Sequence, residues 1–200
     1  MEVWLRTDEY EESVSALEML AESSSMILSD NYRWKWVLIA LHNALQGFMV
    51  LALRQGNGLK VLNDKIADKW LNAHYKDGSY PVQKLDTFLN LYKKVKKIDQ
   101  MQCFVDSQAF NASESHDKSV RKLNSFRNDF IHFVPKGWTL ELTGLPRICL
   151  YCLDIIEFLG WQSGNILWHK EQYQKRAKVA FDQSVNNLEK AKTEYEKISN

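Results

Sequence analysis

The sequence predicts an all-α fold: a helical bundle with a long helix at the C-terminal end. Three observations predict this class. Apolar residues recur three and four positions apart along most of the chain, the period of a helix with one buried face. Only 3 Pro and 8 Gly occur among 200 residues, too few for the many tight turns of a sandwich or barrel. Capping and stop residues divide the chain at intervals that suit helices. Hydrophobic residues make up 45%, including 7 Trp, which supplies a packed core and excludes wholesale disorder. The length suits one domain, or one domain with an extended helix. Residues 1–163 read as the bundle, and 164–200 as a long amphipathic helix within that domain or extending from it.

The first helix is expected over about 8–28, with Thr7 as N-cap and Asp8, Glu9, Glu11 and Glu12 in its first turn. Val14, Leu17, Leu20 (or Ala21) and Leu28 form its stripe. Ser29-Asp30-Asn31 breaks it, and a second helix covers about 31–54, stopped by Gln55-Gly56-Asn57-Gly58. Its residues 36–53 hold no charged side chain, a stretch just long enough to span a bilayer. His42, Asn43 and Gln46 lie at its centre, where lipid penalises polar groups, so a buried bundle helix fits better than a membrane span.

A third helix is expected over about 59–74, with Leu59, Leu62, Ile66, Trp70 and Ala73 on one face. Residues 76–81, with Gly78 and Pro81, read as a turn, and a fourth helix spans about 82–98 with Leu85, Phe88, Leu89 and Tyr92 inward. Residues 99–113 are ambiguous. The next helix covers about 114–133 and ends near His132, because Pro135 drives residue 134 out of helical geometry. A loop joins Pro135 to Pro146, in which 139–143 alternates like a short extended piece. Helices follow at about 147–161 and 164–198. In the last, Phe181, Leu188 and Tyr195 recur every seven, with Ala177, Ser184, Ala191 and Ile198 between them. That weak heptad seam suits packing on its own bundle or pairing with a partner.

Charge and cysteine content narrow the function. The net charge is +1, so no global basic field marks a nucleic-acid binder, and any such role needs a local patch. The 3 Cys form no disulfide framework, and the N-terminal stretch MEVWLRTDEY is acidic rather than signal-like, which points to a reduced, cytoplasmic setting. Cys149 and Cys152 lie in an apolar helical run without a second ligand pair, and read as core thiols rather than as a metal or redox pair.

The stretch SFRNDFIHF, residues 125–133, carries the candidate chemistry. With Phe126 at zero and about 100° per residue, Leu123, Phe130 and Phe133 centre an apolar stripe near 20°. Arg127, Asn128 and His132 then share the opposite face, and Ile131 falls among them. Arginine suits a phosphate, histidine moves a proton near neutral pH, and asparagine orients either. No metal set is present, and no cofactor is expected. Arg and His without a metal suit RNA cleavage, in which the 2′-hydroxyl is a built-in nucleophile. From the spacing alone, an ordinary surface helix is the better account of the pattern.

The run Arg127-Asn128-Asp129-Phe130-Ile131-His132 resembles the signature of the HEPN superfamily (higher eukaryotes and prokaryotes nucleotide-binding): Arg, a polar residue often Asn, a few residues, then His near a helix end. The resemblance implies a small helical bundle acting as a metal-independent endoribonuclease, with two motifs meeting across a homodimer. It assigns phosphate binding to Arg127, proton transfer to His132 and positioning to Asn128. Ile131, apolar in the polar arc, would serve the dimer contact. Many members are toxins of toxin–antitoxin or defence systems, which implies RNA and an antitoxin or other protein as partners. One subgroup has a Tyr two residues after the His, where this chain has Val134, so that regulation by nucleotide modification is not expected. Other members bind RNA or act as scaffolds without catalysis, which is the alternative reading. Lys93, Lys94 and Lys97, in a run with Lys96, and Arg121 and Lys122 are candidate RNA contacts; a cationic helix end that offsets the dipole is the plainer account of the lysines. His42, Asn43 and Gln46 form a core network or line the cleft of the motif.

Overall fold

The computed structural model describes residues 2–76, 78–132, 135 and 137–199, and within them the protein is helical with no strands. Asp77 of the expected turn lies outside the described residues, as do Phe133 and Val134.

Helix α1 spans Glu9–Ser25. Its N-cap is Asp8, not Thr7: the Asp8 carboxylate accepts from the N–H groups of Tyr10 and Glu11, while the Thr7 hydroxyl donates to Glu12. The helix stops three residues before the expected end. Ser24 and Ser25 turn their hydroxyls back onto the carbonyls of Ala21 and Glu22, which competes with helix continuation. Helix α2 spans Arg33–Arg54 and ends where Gly58, at φ 67°, donates its N–H to the Arg54 carbonyl.

The expected third helix is two pieces. A 3-10 turn at Leu59–Val61 buries Leu62 behind it, and Asn63 then caps α3, Asp64–Tyr75, by accepting from Lys65 N–H. α3 buries no residue fully; Ile66, Trp70 and Ala73 are only half-buried, and Trp70 packs on Tyr80. The expected fourth helix starts six residues late. Its first part is extended, because Asn63 N–H and Asp86 N–H bond to the carbonyls of Lys84 and Val61, and this leaves Leu85 exposed. Thr87 then caps α4, Phe88–Val95, and a single turn, α5, follows at Ile98–Met101.

Ser113 caps α6, Glu114–Ile131, through a reciprocal bond with His116. The segment 139–143 forms no strand; Leu140 and Leu142 half-bury against the core. α7, Leu145–Glu157, opens with Pro146 in its first turn and runs into a π turn at Phe158–Gln162. There Gly160 lets the backbone meet Phe48, whose ring would lie 2.9 Å from a Cβ. The last helix, α8, starts at Glu171 rather than 164 and runs to Ser199. The delay has a cause: the buried Asn165 amide donates to the carbonyls of Ala52 and Met101, which anchors an irregular strap over 164–170 to the bundle.

α2 is the central rod, packed by α1, α4, α6 and α7, and α8 lies against α1 and α7. It is long and apolar enough to cross a membrane, but 67% of its apolar window is buried inside the bundle. The α8 seam faces its own bundle: Ala177, Phe181, Ser184, Leu188, Ala191 and Tyr195 are buried, whereas Ile198 is exposed. Arg176 fixes α8 to α1 through Glu11 and Glu18, and those bonds raise its pKa further above the ordinary arginine range. Cys149 and Cys152 are buried in α7, and burial pushes both thiols up, so they behave as apolar packing groups.

Candidate functional site

The C-terminal half of α6 positions the candidate residues. Its buried face is centred differently from the expected stripe. Ser119, Val120 and Leu123 are fully buried, and Asn124, Phe126, Arg127 and Phe130 are half-buried. On the scale that puts Phe126 at zero, Val120 lies near 120° and Asn124 near 160°, which draws the buried arc toward Arg127 at about 100°. Arg127 therefore does not share a face with the other two. It sits at the bundle surface beside α2, while Asn128 and His132 are exposed.

Arg127 faces a residue pair that the motif does not contain. His42, on α2, is stacked on Phe88 of α4 at 3.9 Å and bonds through Nε2 to Asn124 Oδ1 at 3.3 Å. Burial pushes the His42 pKa down to about 4, the Asn124 bond opposes that, and the Arg127 charge lowers it further. The imidazole is therefore neutral at pH 7. With Nε2–H donating to Asn124, Nδ1 keeps its lone pair and finds no partner among the described residues, nor does the buried Arg127 Nε. Arg127 Nη1 donates to Asn128 Oδ1 at 3.1 Å, so Asn128 orients the guanidinium. His132 ends the helix: its N–H donates to the Asn128 carbonyl at 2.8 Å and its imidazole is exposed. No bond joins Arg127 to His132 within one copy among the described residues. Ile131 is exposed beside His132, at the edge of the helix end.

The basic residues do not form one patch. Lys94 is a correction: its ammonium is buried and spent inside the fold. It pairs with Asp86 and Asp64, each at 2.8 Å, and donates to the carbonyls of Lys60 and Leu62. Burial opposes its charge, yet those carboxylates outweigh it and its pKa is raised. Lys93, Lys97 and Arg121 are exposed on the α4–α6 side, where Lys96 pairs with Asp117 at 2.7 Å. Lys122 points to the other side, into the groove between α6 and α7. Asn43 and Gln46 line a groove between α1 and α2.

A cleft that the sequence reading missed opens beside the end of α6. Trp138 packs on Phe130 at 4.9 Å, and Tyr32, Trp36 and the Lys35 ammonium complete its walls. The signal in the sequence was Trp36 and Tyr32 breaking the apolar period at the start of α2, where Tyr32 is left largely exposed. No group of His, Cys, Asp and Glu among the described residues could hold a metal ion. Compared with known proteins, the chain matches no family model, no curated protein and no solved structure.

Proposed function

We propose that this protein is a metal-independent endoribonuclease of the HEPN type, acting on single-stranded RNA at the end of α6. The observation that carries the reading is the Arg127–Asn128 bond, which holds a half-buried guanidinium on the same helix end as the exposed His132 imidazole. A guanidinium held in this way offers its remaining N–H groups to a phosphate. His132 takes the 2′-hydroxyl proton, the 2′-oxygen attacks phosphorus and the bond to the 5′-oxygen breaks, while the protonated imidazole of the second copy's motif gives that oxygen its proton. The products are a 2′,3′-cyclic phosphate and a 5′-hydroxyl. The aromatic cleft beside Phe130 suits an unstacked base, which is how single-stranded RNA is gripped. Because Arg127 and His132 are not bonded to each other in one copy, a second copy supplies the missing half of the site, as the resemblance implies. The cellular role in keeping with that is a toxin or defence component restrained by a protein partner.

A second reading is favoured by the same lack of an Arg127–His132 bond: the motif binds RNA phosphate without cutting. End analysis of RNA incubated with the protein in EDTA separates the two. The ribonuclease reading expects 2′,3′-cyclic phosphate ends. Intact RNA that the protein nevertheless binds, with binding weakened in Arg127→Ala, gives the case to the second.

A further inference from the structure

The solvent-facing side of α2 has a composition that a water-exposed helix lacks. Trp36, Ile39, Asn43, Gln46 and Val50 follow one another at spacings of three, four, three and four, and all are exposed or half-exposed. No charged residue lies between Trp36 and Leu53 to break this stripe. The spacing is that of a coiled-coil seam, with an amide at its central position, the place where a polar residue fixes register and pairing. The α1 side of the same groove adds Ala16 and Met19, the latter 49% exposed. Ser13 and Gly47 hold α1 so close that the groove floor is backbone and small side chains.

We propose that a second copy of this chain covers the face, with the two α2 helices antiparallel about a two-fold axis at Asn43. Such an axis sets Trp36 against Val50 of the other copy and Ile39 against Gln46, and lets the two Asn43 amides each donate to the other's oxygen. The charges at the ends of the stripe agree with that register. The Lys35 ammonium sits over the Trp36 ring at 5.0 Å, and Glu12 rims the groove at the Val50 end, where Glu9 is already paired with Arg54. Antiparallel pairing brings Lys35 of each copy toward Glu12 of the other, and the surface is then self-complementary. A lipid surface fits less well, because the Asn43 and Gln46 amides and the charged Glu12 carboxylate would enter it. The pairing goes beyond the ribonuclease reading and does not need it: a chain that binds RNA without cutting pairs in the same way.

Sedimentation equilibrium of the full chain at micromolar concentration tests the proposal. The expected particle has twice the 23.4 kDa mass of the chain. Lys35→Glu and Glu12→Lys each weaken association by about tenfold, and the double exchange restores it. Asn43→Cys forms a disulfide-linked dimer on mild oxidation. Circular dichroism melting of Lys35→Glu, a surface change, shows that loss of pairing is not loss of fold. A monomer at all concentrations, a double exchange that restores nothing, or an Asn43→Cys chain that stays monomeric on oxidation overturns the proposal. So does binding of phosphatidylglycerol vesicles by wild type that Ile39→Glu abolishes, which assigns the face to lipid. RNA left intact by a wild-type dimer would overturn the ribonuclease reading and leave the pairing standing, so the two readings fail separately.

Discussion

Burying the His42 imidazole against Phe88 links the stability of the bundle to pH. In the unfolded chain this group titrates at an ordinary histidine value near 6.5, and in the fold at about 4. Between those values the unfolded chain binds the proton and the fold does not. Stability is therefore unaffected above about pH 6.5, falls as pH drops toward 4, and has lost on the order of 3 kcal/mol from this group by then. Denaturant titrations at pH 7 and pH 4 should show that loss in wild type, with much of it absent in His42→Gln; equal acid sensitivity in both would refute the assignment. Asp86 works in a lower window. Burial raises its pKa, but Lys94, Asn90 and the Thr87 N–H outweigh that and lower it, so its contribution persists until acid protonates the carboxylate below its ordinary value. Lys94→Met strands this carboxylate, 2% exposed, and should cost about 3–5 kcal/mol, whereas Lys93→Met, on the surface, should stay within about 0.5 kcal/mol. Equal effects in urea titrations would contradict the division between the two lysines. The sequence showed four lysines in five positions and could not show this division, because the partners Asp64 and Asp86 come from other turns of the chain. The same holds for Arg127. Its neighbours Asn128 and His132 are legible in the motif, but its place beside His42 depends on how α6 rolls against α2.

The α1–α2 crossing sets the geometry of the central rod. A Cβ at Gly47 would lie 2.3 Å from the Ser13 hydroxyl oxygen, so the two helices meet at their closest there. Gly47→Ala should destabilise by about 1–3 kcal/mol despite better helix propensity, and Ser13→Ala in the same chain should recover part of it. Thermal melts of the two variants check this; a more stable Gly47→Ala protein would show that the helices are free to separate. Helices with a side-chain cap, such as α1 and α6, or a long apolar period, such as α2, were legible within a few residues. The regions 59–74 and 82–98 were not, because the pairing of Asn63 with Lys84 and of Asp86 with Val61 overrides local helix preference. The period in both segments is real, yet it describes a helix face that the chain never completes. The start of α8 shows the same thing: Asn165 reads as an ordinary surface residue until the carbonyls of Ala52 and Met101 are placed beside it.

At the scale of the whole molecule, a central helix without charge between Trp36 and Leu53 is enclosed on most of its circumference, and a charged final helix closes the bundle over α1 and α7. The heptad seam in α8 is spent inside one copy, which leaves the open stripe of α2 as the larger unpartnered surface. The class of the fold was legible because helix period and sparse Gly and Pro agree along nearly the whole chain. The candidate site was legible only as a motif. The aromatic cleft that adjoins it is assembled from α2, α6 and the loop before α7, and no local pattern announces that meeting. The central claim is that the end of α6 cuts RNA through Arg127 and His132 without a metal. The most direct test is the rate at which purified protein cleaves a mixed single-stranded RNA in EDTA, for wild type and His132→Ala. The account predicts metal-independent cleavage that falls by about 100-fold or more in the variant. RNA left intact by wild type, or cut equally fast by both proteins, would contradict it.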